Sequence, residues 1–566
     1  MASNVHSITS GSLPSDYAIV SRYAAAHSSE MEQSGESAHA EPSHTSSPSL
    51  AKRPSRPSLG VPVVAQNAHR PTENTPLLNP GPNVPRIEEN ESQTRSDSDL
   101  SVAALYLSEL RILTKYSLPV YGTHLLEYSL VMAPVLSIGH LAGGTTALAG
   151  ITLGSMTASV TGFSILQGFV TALDTMLPSA WTSSQPNLVG LWSQRMAVIM
   201  GAALIPMYLI WFNAEVLLLG LKQDPEVARL ASLYLRWVSF GLPAYTFNLI
   251  SRRYFQSQGL FAVPTRIICI VAPINALLNY ILVWGPEPIR LGYIGAPIAT
   301  ACSFNLVSLM SIAYGVFIAP RTAWQPISRR SFTSLGVLLH LGLSGVGQTA
   351  SEWWAWELVA LAASLLGPVS LATQSILLSS ASTTYQAPYA LSVAASVRIG
   401  NLLGELNSAR AKVAANTSIL MALVLSFVFS TMFMVFRNSW AYLFNDDPVV
   451  VKLVASILPL VAMFQVFDGT AGVTGGILRA KGKQMTGALL NLSAYYVIGI
   501  PFGVWLAFNC DLGLHGLWIG LTVSLVYVAV FGTYLCVSTD WDHEVRKVVA
   551  RNNAESKSRR ENEEHV

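Results

Sequence analysis

Glu352-Trp353-Trp354-Ala355-Trp356-Glu357 lies inside an apolar run that extends from about residue 338 to residue 364. A carboxylate at bilayer depth costs roughly a few kcal/mol or more, so two in one spanning segment mark a working site. To either side the chain repeats the same kind of run. Twelve candidate spans, each near the ~20 residues that a bilayer requires, cover 116–139, 146–170, 190–212, 227–249, 263–285, 295–318, 338–364, 369–394, 413–436, 452–476, 485–508 and 514–537. No alternating barrel pattern occurs, so their backbone polar groups are satisfied as helices. The expected fold is an all-α membrane protein.

Composition agrees. The 566 residues are 51% apolar and 12% charged, with a mean hydropathy of +0.42, whereas a soluble domain carries about 25% charged residues. A net charge of +2 identifies no partner. The four cysteines (Cys269, Cys302, Cys510 and Cys536) form no CxxC or CxxH pair, which leaves neither a metal site nor a disulfide framework. The run from Gly476 to Lys483 has one residue too many for a phosphate loop and ends in Gln484. HExxH and GxSxG are absent, as is a basic, aromatic-interleaved surface. The sequence therefore points away from an enzyme, an ATP-driven pump and a nucleic-acid binder, with no cofactor and no metal expected.

Residues 1–104, rich in Ser, Pro, His and Asn, read as a disordered tail, because they cannot bury enough apolar surface to offset their ordering entropy. Within them, Glu73-Asn74-Thr75-Pro76-Leu77-Leu78 matches the acidic dileucine sorting pattern, with Glu73, Leu77 and Leu78 at its defining positions. It is either a signal or a chance match in a tail. A second tail, 541–566, is highly charged and expected to be exposed. Arg252, Arg253 and Arg266 fall around the 4–5 connection, Arg321, Arg329 and Arg330 between spans 6 and 7, and Arg479, Lys481 and Lys483 between spans 10 and 11. The opposite loops hold only Lys222, Arg290, Arg437 and Lys452, which places both termini in the cytoplasm.

An internal repeat divides the body into 105–325 and 326–540. Arg253 to Gly259, an apolar span and then Leu291-Gly292-Tyr293-Ile294-Gly295 find a counterpart in Ile477 to Gly482, a span and Leu512-Gly513-Leu514-His515-Gly516. Gly259 and Gly482 are 223 residues apart, and Gly292 and Gly513 are 221 apart. Six spans separate the copies, so the halves share one orientation, the pattern of transporters with two six-helix lobes around a central cavity.

Four carboxylates fall at membrane depth: Glu127, Glu352, Glu357 and Asp468. A carboxylate facing a water-filled cavity can hold a proton or a cation in turn, and that exclusion, combined with conformational switching, is what an antiporter needs. Glu352 and Glu357 are about 140° apart around a helix. One is expected to face the cavity and the other a neighbouring helix or the opposite rim, with Glu352 favoured as the coupling residue. Trp353, Trp354 and Trp356 either offer flat faces to an organic cation or pack and anchor the helix. Gln167, Gln374, Tyr385, Asn491 and Tyr495 either line the cavity or hydrogen-bond between helices. Asp174 and Arg398-Ile399-Gly400-Asn401, at cytoplasmic helix ends, are expected to cap helices and close that side by charge pairing.

Four stretches resemble the eukaryotic, fungal-like branch of the multidrug and toxic compound extrusion (MATE) family. They are Ala172-Leu173-Asp174-Thr175 with Leu188 to Arg195, Glu352 to Glu357, Ser392 to Asn401, and Asp468-Gly469 through Gly482 with Tyr495 to Pro501. The resemblance implies twelve helices in two lobes related by a pseudo-two-fold. It implies a monomeric antiporter in the lipid bilayer that exports small organic, cationic substrates, drugs or metabolites against protons. Glu352 and Glu357 match its acidic motif and Asp468 its tenth-helix acid. Ser379, and Ser179 to Thr182, depart from the family pattern, as does Glu127, where a neutral residue is expected. Sodium coupling and lipid flipping stand as alternatives, and the vacuolar membrane is favoured over the plasma membrane.

Overall fold

The computed structural model describes residues 101–139, 144–445 and 447–564. The dileucine residues Glu73, Leu77 and Leu78 lie outside the described residues. The described residues from 101 to 552 form one compact unit.

The described chain is helical throughout. In order it forms α1 (Val102–Gly139), α2 (Gly144–Ala158), α3 (Ser164–Trp181), α4 (Leu188–Phe212), α5 (Ala214–Gly220), α6 (Pro225–Val238), α7 (Leu242–Ser257), α8 (Ala262–Trp284) and α9 (Gly295–Phe317). It continues with α10 (Leu335–Leu365), α11 (Pro368–Gly404), α12 (Ser408–Val435), α13 (Pro448–Ala480), α14 (Gln484–Leu492), α15 (Ile500–Phe508), α16 (Leu514–Val537) and α17 (Trp541–Glu564). Local sequence explains several boundaries. Asp224 caps α6 by accepting from the backbone N–H of Glu226 at 3.0 Å, and Pro225 takes the first helical position. Asp447 and Pro448 do the same for α13, with a bond of 2.8 Å from Val449 N–H. Two π-helical turns, Ser159–Phe163 between α2 and α3 and Ser493–Gly499 between α14 and α15, interrupt otherwise continuous spans.

Each of the twelve expected spans falls on a helix or an end-to-end helix pair: α1, α2–α3, α4, α6–α7, α8, α9, α10, α11, α12, α13, α14–α15 and α16. Eight of these are long and apolar enough to cross a membrane by composition alone. The other four are α1, α6–α7, α10 and α11.

One large apolar core is built mainly from the first half around Leu166, Leu173 and Trp211, and a second from the other half around Phe433, Phe464 and Trp518. A third joins α1 to α11, α12 and α13. The repeat is visible in the backbone as well. Gly259 and Gly482 adopt φ of 79° and 72°, and Gly292 and Gly513 adopt 60° and 53°. These left-handed turns need glycine at both copies.

Two expectations change. Arg252 and Arg253 are not in a loop but in the last turns of α7, where both are buried. The C-terminal segment is not an exposed tail over its first turns, because Trp541, Glu544 and Val548 are buried at helical spacing. Glu544 pairs with Lys483 at 3.0 Å, Lys481 sits 5.6 Å over the Trp541 ring, and Arg551 donates to Ser179 Oγ of α3 at 2.9 Å.

At this terminus-bearing end the first and second halves close on each other. Thr182, the C-cap of α3, donates to the Asn401 carbonyl of α11 at 2.7 Å, and Thr175 of α3 to the Arg479 carbonyl of α13 at 2.5 Å. Gly400 lets α11 meet α3, since a Cβ there would stand 2.7 Å from the Pro178 Cβ.

Candidate functional site

A cavity of 540 Å³ lies between the halves. Glu352 and Glu357 both line it, with Gln348, Thr349, Trp353 and Trp356 of the same helix. These positions span about 180° of the α10 surface. The expectation that only one glutamate faces the cavity is thus corrected: the cavity wraps half of the helix instead of touching one stripe. Asp468 of α13, Tyr385 of α11, Asn491 of α14 and Tyr495 of the second π turn complete this wall. The opposite wall is built by Glu127 and His124 of α1, Gln167 of α3, and Tyr245, Arg252 and Arg253 of α7.

Gln374 is the sequence-selected residue that falls elsewhere. It is buried away from the cavity and accepts the Trp518 indole N–H at 2.8 Å, because its position on α11 turns it toward α16. Several lining residues also hold helices together. Gln167 donates to the Tyr245 hydroxyl at 3.2 Å, and Asn491 to the Gln348 carbonyl at 2.9 Å. Trp356 packs against Phe464 and Trp518, with ring centroids 5.6 and 5.9 Å away, while Trp353 stays exposed. Trp354 reaches across to donate to the Val160 carbonyl at 3.2 Å.

The acidic residues divide into two kinds. Glu127 receives both terminal nitrogens of Arg252, and His124 Nδ1 lies 3.3 Å away. Asp174 is shared by Arg253 at 2.9 Å and Arg479 at 3.4 Å. Glu109 of α1 is held by Arg398 and Arg410 at 2.7 and 2.6 Å. Asp174 and Arg398 therefore do not pair with each other; each has a separate partner across the terminus-bearing end. In contrast, Glu352, Glu357 and Asp468 form no ion pair among the described residues. Arg252, Arg253 and Arg479 also line the cavity, although in sequence a basic residue at the end of an apolar run looks like part of a connection. The embedded acid Glu127 is the one sequence signal of a buried basic partner.

A bundle of many apolar spans that encloses a cavity lined by charged and aromatic side chains from both halves is the architecture of a membrane transporter. The MatE family model matches residues 119–281 and 346–505, and the chain belongs to that family. An uncharacterized transporter of Schizosaccharomyces pombe is 38% identical over 84% of this chain and 90% of its own length. Protein DETOXIFICATION 16 of Arabidopsis thaliana is 33% identical over 78% of this chain and 90% of its own. Human multidrug and toxin extrusion protein 1 is 30% identical over 77% and 76%. The crystal structure of the eukaryotic MATE transporter AtDTX14 superposes with a TM-score of 0.74 at 29% identity, covering 79% of this chain and 99% of that one. The fold is the MATE fold, and the protein is a MATE-family extrusion transporter rather than an enzyme.

Proposed function

We propose that this chain exports small organic cations in exchange for protons by alternating access, as a monomer, with Glu352 as the coupling acid and Glu357 and Asp468 as its partners in cation binding. One observation carries the reading: three carboxylates share one cavity and, among the described residues, none of them forms an ion pair, whereas Glu127 and Asp174 beside it are paired with arginines. Each free carboxylate attracts a cation when ionised and loses that attraction when protonated, so substrate and proton exclude each other there. Trp353, Tyr385 and Tyr495 add flat aromatic surface for cation–π contact. Glu127 belongs to the opposite wall as the partner of Arg252. The cavity arginines do not favour an anionic lipid-linked substrate, because Glu127 and Asp174 hold them; Arg236 is exposed and does not line the cavity. Both termini are read as cytoplasmic, so the closed end faces the cytoplasm and the acidic dileucine pattern directs the protein to the vacuolar membrane.

The test is pH-gradient-driven uptake of tetraethylammonium into liposomes holding wild type or Glu352→Gln at equal density. Uptake that follows the proton gradient and disappears in the variant supports the reading. Uptake driven by sodium, or undiminished in Glu352→Gln, overturns it.

A further inference from the structure

Arg479 stands at the junction of the cavity and the closed end. Its Nε lies 3.4 Å from Asp174 on α3, and its Nη2 donates to Ser392 Oγ on α11 at 2.8 Å. On the cavity side, its Nη1 and the Gln348 amide converge over Gly475, at 3.6 and 3.1 Å from the point where a Cβ would stand. Gln348 sits one turn before Glu352 on the same face of α10, and Arg479 and Glu352 line the same cavity. One guanidinium thus pairs with the acid that ties the two halves together and borders the same cavity as the acid read as facing the substrate.

We propose that Arg479 is a positioning residue that ties the occupancy of Glu352 to closure of the terminus-bearing end. This rests on the reading of Glu352 as the coupling acid. When Glu352 holds a proton or a substrate cation, its charge is neutralised and Arg479 stays with Asp174, so α3 and α13 remain joined. When Glu352 is empty and ionised, it competes for the same guanidinium and the tie across the halves weakens. A group that interacts differently with two states shifts their populations, and competition for a shared partner is such a difference.

The other charges around Arg479 are accounted for. Arg253 of α7 occupies the second oxygen of Asp174, and Asp468 lies on α13 itself. Tyr385 of α11 and Tyr495 line the same cavity as Glu352 and Asp468. Of the remaining helices on α13, α12 brings Arg410, held by Glu109, and α16 brings Cys536, whose thiol donates to the Thr474 carbonyl at 3.7 Å.

The test is a distance measurement by pulsed electron resonance between spin labels at Ser184 and Lys412, exposed positions on the two halves at the closed end, in liposomes. Cys269, Cys302 and Cys510, which are exposed, are replaced to keep labelling specific. In wild type the longer-distance population should rise several-fold from acidic to alkaline buffer, and tetraethylammonium should reverse that rise. Arg479→Gln should abolish the pH response, and Arg479→Lys should restore part of it. Asp174→Asn, as the second variant, should favour the long distance at both pH values. A full wild-type pH response in Arg479→Gln or in Asp174→Asn overturns the proposal, even if Glu352→Gln uptake behaves as expected. Failure of the functional reading shows separately, as uptake that survives in Glu352→Gln.

Discussion

Arg398 donates to Glu109 through Nε at 2.9 Å and Nη2 at 2.7 Å, and both side chains are completely buried. The bond joins α1 to α11, nearly three hundred residues later, with Arg410 of α12 on the same carboxylate. A buried carboxylate between two guanidinium groups anchors the terminus-bearing end.

That anchor makes stability depend on pH. Burial alone opposes the charged carboxyl, but Arg398 and Arg410 outweigh it and hold Glu109 below its ordinary value of 4.5. A carboxyl depressed in the folded state stabilises above its unfolded pKa, and that contribution is lost as pH falls through the lower folded value. Thermal melting in detergent should therefore show stability falling below about pH 4.5, a component absent from Glu109→Gln. At neutral pH the variant leaves two buried arginines short of a partner and should lose about 3–5 kcal/mol. Equal melting temperatures for wild type and variant at neutral pH would refute this.

Glu127 is expected to behave as half of a pair. Glu127→Gln leaves Arg252 buried without its counter-charge, and because the glutamate keeps some exposure the cost belongs at the low end of about 3–5 kcal/mol. Adding Arg252→Met should recover most of that loss in a thermal-shift series. If the double variant is no more stable than the single one, the pair is not what holds α1 to α7.

Gly400→Val would place a branched side chain against Pro178, where even a Cβ would stand at 2.7 Å. Overpacking of this kind costs about 1–3 kcal/mol. Because the contact joins α3 and α11, it should also widen the Ser184-to-Lys412 distance. A variant with wild-type melting and unchanged distance would show that the contact is not part of the closure.

Uptake of tetraethylammonium should fall by about tenfold or more in Glu352→Gln and in Asp468→Asn, the ratio given by ~1.4 kcal/mol of lost coupling. Gln374→Ala should instead reduce melting temperature while leaving the rate per folded molecule near wild type, since it supports Trp518 and not the cavity. Initial rates normalised to folded protein distinguish the two classes.

The spans, the four embedded carboxylates and the duplicated glycine turns were legible from the chain, because bilayer thickness and backbone geometry impose constraints along the sequence itself. Arg252 was misread as a loop residue: periodicity records which face a side chain takes on its own helix, not which helix lies opposite. Gln374 and Tyr385, eleven residues apart on α11, read as equivalent polar positions, yet one supports a tryptophan and the other faces the cavity.

By itself, then, the sequence determined a helical membrane body with two like-oriented halves and acids that hydrocarbon could not tolerate without a purpose. Only the tertiary structure decided which acids are neutralised and which remain free. Asp174, Glu109 and Glu127 meet arginines from distant helices, while Glu352, Glu357 and Asp468 form no ion pair among the described residues. Pairing is a matter of a few ångströms between helices, and that distance is set by how ridges, glycines and buried rings pack, which no single helix encodes.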